Sequence, residues 1–149
     1  MLSRDAFWQY ACTVYQNGQV QQILLECQDK HGKNVNLCLL LDYLSYLNMQ
    51  LTVQQVNELE VIVKQIDREL LVPYRATRKQ AKTRYSAYPD YQQLRASLLA
   101  TELELEKLQQ HHLIEHVKTF SLQDHVKDPK NLLHYLPKSL YTRFQHAKL

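Results

Sequence analysis

The sequence predicts an all-α protein, a single-domain bundle of about five helices. Only two glycines occur among 149 residues, although ordinary usage would give about ten, and β-rich folds need glycine in their turns. Leucine and glutamine, both good helix formers, supply 26 and 17 residues. A chain of this length can remove roughly 68–70% of its unfolded surface from water. The composition therefore favours one helical domain with a full hydrophobic core.

The first two helices are identified by their ends. Ser3 can cap a first helix that carries Phe7 and Trp8. Asn17-Gly18 then ends it, because glycine commonly follows the last residue of a helix. A short second helix over residues 20–27 precedes a turn over residues 29–32.

Residues 35–48 are predicted to form the central helix of the bundle. Asn34 can cap it, and Leu37, Leu40 and Leu44 recur at spacings of three and four. Apolar residues also fill the flanks of this segment. A helix that is apolar almost all round belongs in the middle of a bundle, so we expect its neighbours to wrap it.

The next helix is predicted over residues 53–83. Thr52 and Gln55 have the spacing of a capping box at its start. Pro73 lies inside the pattern, and proline lacks the amide hydrogen that a helix interior uses. We therefore expect a helix that is kinked or briefly broken at Pro73.

A long helix is predicted over residues 91–117, capped by Asp90 after a tyrosine-rich loop. Apolar positions alternate along it at four and three, the spacing of a coiled-coil seam. The seam consists of Leu94, Leu98, Thr101, Leu105, Leu108 and His112. About three heptads are too few for a free coiled coil, so we expect the seam to pack against the third and fourth helices.

The pattern divides the chain into a helical bundle domain over residues 1–118 and a C-terminal segment over residues 119–149. Asp128-Pro129 can begin a short helical turn that Pro137 ends. The last dozen residues carry no strong pattern, so this segment is expected to be docked on the bundle or partly mobile.

Composition also bounds the environment of the protein. The cysteines, Cys12, Cys27 and Cys38, are odd in number and lack zinc-binding spacing, which favours a reduced compartment and buried thiols. No secretory pattern opens the sequence, and the apolar run over residues 37–41 is far shorter than the roughly 20 residues of a membrane span. We expect a soluble cytosolic protein without a cofactor or a membrane partner.

Several segments together resemble an uncharacterised family of short all-helical proteins found mainly in gammaproteobacteria. The most specific is a turn motif of the form Gln-Asp…Gly…Asn-Val-Asn-Leu, which begins at Gln28. Further matching residues are Phe7, Trp8, Val20, Leu24, Leu25, Pro73, Arg75, Arg78, Lys79, Lys82, Glu102, Leu103 and Glu106. Tyr74 departs from the family, which commonly has leucine there. The resemblance covers roughly residues 5–110 and implies a compact helical protein of Gram-negative bacteria, with no catalytic residues to carry over.

The polar residues of that turn motif, Gln28, Asp29, Gly32, Asn34 and Asn36, admit two interpretations. They can form a polar notch that binds a ligand or the backbone of a partner. Turn chemistry explains most of them more simply, because Asp and Asn accept backbone hydrogen bonds and Gly32 supplies a positive φ. Asn36 is the exception, since it lies inside the helix and is expected to reach back to the preceding loop.

A basic stripe is the leading candidate for partner binding. Its predicted docking residues are Arg68, Arg75, Arg78, Lys79 and Lys82. In a straight helix these residues and Lys64 lie within about 60° of one another, with Arg78 at the border. This basic stripe faces away from the apolar side of the helix. Such a face can dock an acidic protein or RNA phosphates, or it can simply be solvated.

Residues 112–116, His-Leu-Ile-Glu-His, fit the pattern of inverted zinc peptidases. His112 and His116 could share a metal, with Glu115 as a base. A peptidase needs a third ligand well downstream, and only 33 residues follow. We therefore predict no catalytic residues and no metal site.

Our leading functional hypothesis is a non-enzymatic cytosolic interaction module, a regulator or adaptor that docks a larger acidic protein through the basic stripe. The alternative is an RNA- or ribosome-associated protein that uses the same face. Tyr74, Tyr85, Tyr88 and Tyr91 could then provide stacking surfaces.

Overall fold

The computed structural model describes residues 2–149. The helices are α1 (Arg4–Tyr15), α2 (Gly18–His31), α3 (Val35–Tyr46), α4 (Val53–Ile66), α5 (Val72–Tyr85), α6 (Tyr91–Val117) and α7 (Lys138–Lys148). A π-helical turn, Asp67–Leu71, joins α4 to α5, and a 3-10 turn spans Asn131–His134. Residues 2–149 contain no β-strand, only an isolated bridge between Gln50 and Gln123. The predicted all-α bundle is confirmed.

Helix α3 is the centre of the core, as the sequence predicts. Every residue from 37 to 44 is buried, including the carboxylate of Asp42. Asn34 caps α3 by accepting a hydrogen bond from the backbone N–H of Leu37 at 2.9 Å. The helix ends at Tyr46, slightly before the predicted end at residue 48, and Asn48 adopts a positive φ of 60°.

The helix ends follow from local chemistry. Asn17 accepts hydrogen bonds from the backbone N–H groups of Gln19 and Val20 at the start of α2. Gly32 ends α2 with a φ of 62°, a conformation that glycine adopts without strain. The predicted end of α2 at residue 27 is wrong, because the helix continues to His31 and turns only at Gly32.

The helix predicted over residues 53–83 is interrupted, but not by a kink at Pro73. A π-helical turn precedes the proline, and its last hydrogen bond runs from the Val72 N–H to the Asp67 carbonyl. Pro73 then lies in the first turn of α5, where its missing N–H costs little. The extra residue of the π turn therefore absorbs the proline without ending the helical rod.

The coiled-coil seam predicted on α6 does not pack against α3 and α4. The residues of α6 that are buried in the bundle are Gln109, Gln110, Leu113, Ile114 and Val117. Leu94 and Leu108 of the seam remain 38% and 37% exposed, and Thr101 and His112 are exposed as well. The prediction chose the wrong face because it did not consider glutamine as a core residue.

The C-terminal segment belongs to the same core as the bundle. Leu132, Leu136, Leu140 and Phe144 are buried in the cluster that contains α3. The last dozen residues, for which the sequence showed no pattern, form α7. Asn131 fixes the segment, because its Oδ1 accepts from the Leu51 N–H at 2.8 Å and its Nδ2 donates to the Met49 carbonyl at 2.8 Å.

Asp42 joins three helices through a buried charge. The Tyr10 hydroxyl of α1 donates to Asp42 Oδ2 at 2.6 Å, and Lys148 Nζ of α7 lies 2.6 Å from Oδ1. Burial, and secondarily the Asp42 charge, raises the pKa of Tyr10 well above its ordinary value. Tyr10 thus remains neutral beside the Asp42 carboxylate, whose negative charge is balanced by Lys148.

The structure tests two further expectations, that the thiols are buried and that no helix spans a membrane. Cys27 and Cys38 are buried free thiols, but Cys12 is exposed, so the expectation of buried thiols is wrong for Cys12. Burial raises the pKa of Cys38 well above its usual value. Among residues 2–149, no helix has the length and apolar character needed to cross a membrane.

We expect stability in alkali to depend on Tyr10. An exposed tyrosine loses its proton near pH 10, whereas folded Tyr10 retains it because its pKa is raised. The contribution of Tyr10 to the free energy of unfolding is therefore complete below about pH 10 and decreases as the pH rises above that value. Urea unfolding from pH 8 to 11 should show a steeper loss for the wild type than for Tyr10→Phe. Tyr88→Phe, at an exposed tyrosine in the turn between α5 and α6, is the control and should behave like the wild type; equal slopes for all three proteins would contradict the assignment.

Candidate functional site

Helix α5 and the first half of α6 form a two-helix arm, here residues 72–105. Helix α5 buries none of its residues and packs chiefly against α6 and the π turn. Along the same stretch of α6, only Tyr91 is buried. The arm therefore has almost no core of its own, and most of its surface is exposed.

Polar contacts hold the two helices of the arm together. The Tyr74 hydroxyl donates to the Leu98 carbonyl at 2.8 Å. Arg75 lies 3.0 Å from Glu102 and 3.2 Å from Glu106, and Arg78 lies 2.6 Å from Glu102. Glu102 thus accepts from two arginines, and this cluster fixes the register of α5 on α6.

The predicted basic stripe is divided by this cluster. Arg75 and Arg78 face α6 and are paired with its carboxylates, so the predicted stripe does not form one open face at these two residues. Arg68, Lys79 and Lys82 are exposed and form no ion pair with any residue in the range 2–149. The structure therefore places three of the five predicted docking residues on open surface.

Burial and ion pairing oppose each other inside the cluster. Burial raises the pKa of Glu106, although the nearby Arg75 guanidinium acts in the other direction. Burial also disfavours the charge of Arg75, but hydrogen bonding to Glu102 and the charge of Glu106 outweigh it and raise the pKa of Arg75. The arginine stays charged because it has two carboxylate partners.

The distal arm, residues 79–101, is basic and carries exposed aromatic residues. It has four cations and one carboxylate, a net charge of +3 that equals the net charge of the whole chain. Arg84 and Arg95, two of these cations, are exposed and were missed because they lie outside the stripe measured along one straight helix. Tyr85 and Tyr88, which are 60% and 51% exposed, lie at the turn between the helices.

A buried polar junction joins the arm to the bundle. Gln109 of α6 accepts from Asn36 Nδ2 at 2.8 Å, and its own Nε2 donates to Asp67 Oδ1 at 2.9 Å. Asn34 Nδ2 donates to Asp67 Oδ2 at 2.9 Å. The amide of Gln110 donates to Asn36 Oδ1 at 3.0 Å. These side chains connect the start of α3, the π turn and the middle of α6.

The junction accounts for part of the turn motif. Asn34 and Asn36 belong to it, whereas Gln28 and Asp29 lie on α2 and Gly32 is the helix cap. The expectation that Asn36 reaches back to the preceding loop is wrong, since it bonds across to α6. Gln109 and Asp67 were missed because their partners are 73 and 33 residues away in the sequence.

The histidine pattern lies on an open groove between α4 and α6. Ile62, Ile66, Leu70 and Leu108 line the groove, together with His112, Glu115 and His116. His116 Nε2 lies 3.1 Å from Glu58, and Glu115 pairs with Lys118 at 3.1 Å. Within residues 2–149, no three histidine, cysteine or acidic side chains converge into a metal-binding group.

Comparison with known proteins gives a family and no activity. A family model described as "Protein of unknown function (DUF2390)" matches residues 6–113. This match confirms the predicted relationship to an uncharacterised family. It covers the junction, the arm and the bundle as far as Leu113, but not the C-terminal segment. Neither the curated proteins nor the solved structures contain a significant match.

We expect Gln109 to be essential for the stability of the junction. Gln109→Leu leaves the buried amides and the Asp67 carboxylate without their shared partner, and each unsatisfied group costs about 1–3 kcal/mol. Urea unfolding should show at least this loss in the free energy of unfolding. Gln93→Leu, on the exposed surface of the same helix, is the matched control, and equal stability of the two variants would contradict the role of the junction.

We expect Glu102 to control local opening of the arm. Glu102→Gln removes the carboxylate that both arginines share, and a loss of about 1 kcal/mol corresponds to roughly five-fold more opening. Hydrogen exchange should accelerate in α5 but not in α3. Glu104→Gln, two residues away and paired only with Lys107, should leave exchange in α5 unchanged; acceleration in both variants would show that the cluster is not responsible.

Proposed function

The chain belongs to the family described as "Protein of unknown function (DUF2390)", and we propose that it is a non-enzymatic cytosolic interaction module, a regulator or adaptor that docks a larger acidic protein. The proposal rests on the exposure of the arm, because α5 buries no residue and the adjoining half of α6 buries only Tyr91. An element without a core of its own contributes little to folding. A basic surface carried on two helices is suited to binding.

The arrangement of charges supports an acidic partner. Lys79 and Lys82 follow Arg75 and Arg78 along α5, but only the two arginines are neutralised by Glu102 and Glu106. The unpaired cations continue around the distal arm through Arg84 and Arg95. These cations are held on helices and have no competing ion pairs among the described residues, so carboxylates of a partner can pair with them directly.

RNA association is the second candidate, and the exposed tyrosines favour it. Tyr85 and Tyr88 lie among the free cations of the distal arm. Aromatic rings beside cations can stack on unpaired bases while the cations contact phosphates. Affinity for RNA would then fall steeply with salt.

We expect reversal of the free cations to abolish docking. Lys79→Glu with Lys82→Glu removes charge without disturbing the arginine cluster, and should reduce recovery of a partner from the native cell about tenfold, or about 1.4 kcal/mol. Affinity capture with quantitative mass spectrometry provides the measurement. The captured protein should then bind the purified chain directly, with an affinity that decreases as salt increases.

Lys127→Glu with Lys138→Glu changes the net charge equally at exposed lysines outside the arm, so this control should bind like the wild type. Equal recovery by both double variants would overturn the proposal. Loss of the captured material after ribonuclease treatment would favour the RNA alternative instead.

A further inference from the structure

The coiled-coil seam of α6 is an apolar face without a partner in its own chain. Its residues are Leu94, Leu98, Thr101, Leu105, Leu108 and His112. Leu98 and Leu105 are half-buried, while the other four positions are exposed. Exposed leucines at heptad spacing along about 27 Å of helix, at 1.5 Å per residue, indicate that another helix covers this face.

The seam continues into the groove between α4 and α6. Leu108 and His112 belong to both, and Ile62, Ile66 and Leu70 extend the apolar surface across the groove. The seam and the groove therefore form one surface that runs from the distal arm to the bundle.

The seam is symmetric in its spacing. Its intervals are four, three, four, three and four residues, so the pattern is the same from either end. Its midpoint falls at residue 103. A two-fold axis there would place Leu94 against His112, Leu98 against Leu108, and Thr101 against Leu105 of an antiparallel second helix. A self-complementary surface of this kind is what an isologous dimer requires.

The charges select the antiparallel arrangement. The distal arm has a net charge of +3, whereas the lining of the groove includes Glu69 and Glu115 but neither lysine nor arginine. Glu115 is already paired with Lys118 at 3.1 Å, so within residues 2–149 Glu69 supplies the uncompensated negative charge. Two parallel arms would place their basic ends together. Two antiparallel arms separate the basic ends and place each one near Glu69 in the groove of the other copy.

We propose that a second copy of this chain occupies the seam, with α6 lying antiparallel on α6 and each arm covering the groove of the other copy. The cationic face used in docking lies elsewhere on the arm. Glu102, which holds Arg75, is about 100° around α6 from Thr101. The partner helix would contact the seam on α6, whereas Lys79 and Lys82 belong to α5. The attraction between the arm and the other groove therefore needs no direct ion pair with these two lysines.

The mass in solution tests the dimer. The wild type should have twice the chain mass of 17.7 kDa by light scattering or sedimentation. Leu108→Glu places a charge in the seam and should return the protein to 17.7 kDa. Leu103→Glu is the matched control, because Leu103 is 45% exposed and about 180° from the seam. Its mass should remain that of a dimer, with equal helix content by circular dichroism.

A wild type that sediments as a monomer at micromolar concentration would overturn the proposal, and the seam would then take another molecule or none. Loss of the dimer in Leu103→Glu but not in Leu108→Glu would overturn it as well, because the interface would lie on the opposite side of α6.

Disulfide trapping tests the orientation. In a Cys12→Ser background, Leu94→Cys with His112→Cys places two thiols about 27 Å apart within one chain, too far to bridge. Mild oxidation should give a covalent dimer with the double variant and none with either single variant. A covalent dimer from Leu94→Cys alone would indicate parallel helices and overturn the arrangement. Cys27 and Cys38 are buried and should not interfere.

Discussion

The amide of Gln109 is the interaction on which the architecture depends. It is fully enclosed, yet it bonds to Asn36 at the start of α3 and to Asp67 in the π turn. An apolar residue at this position could fill the space but could not fix the relative positions of three elements. Because buried polar groups must find partners, this amide permits one register of α6 on the bundle. That register determines where α6 leaves the core and where the arm begins.

The sequence was sufficient for the parts of the fold that depend on local chemistry. The central position of α3 follows from its apolar surface, and the caps at Ser3, Asn34 and Thr52 follow from residue type and spacing. Asn17 and Gly18 were assigned to the end of α1, but Asn17 caps α2 and Gly18 is its first residue. Helix α7 was not predicted, because its few buried residues, including Leu140 and Phe144, are separated by polar residues and give only a weak apolar pattern. Its stability comes from docking, which local pattern does not reveal.

The candidate site was only partly predictable, for a physical reason. The sequence revealed a run of cations, but which of them are free depends on carboxylates about 25 residues away on the facing helix. Glu102 and Glu106 were matched to a family pattern and not recognised as partners of Arg75. The buried face of α6 was misassigned for the same reason. Gln109 can be buried because it bonds to Asp67, which is 42 residues away in the sequence. Pairing across a hairpin is a property of the fold, and composition along one helix does not contain it.

The π turn has a consequence for how this chain can tolerate the loss of a residue. It accommodates one residue more than regular α-helical winding would need. Loss of a single codon within residues 67–71 could therefore be absorbed as continuous α-helix, without breaking the rod. Because a π turn and an α turn each complete about one revolution, the same loss would keep α5 in phase and leave Arg75 facing Glu102. A deletion elsewhere in α5 would instead turn the residues after it by about 100°. Within the π turn, loss of exposed Arg68 or Glu69 would also spare buried Leu71.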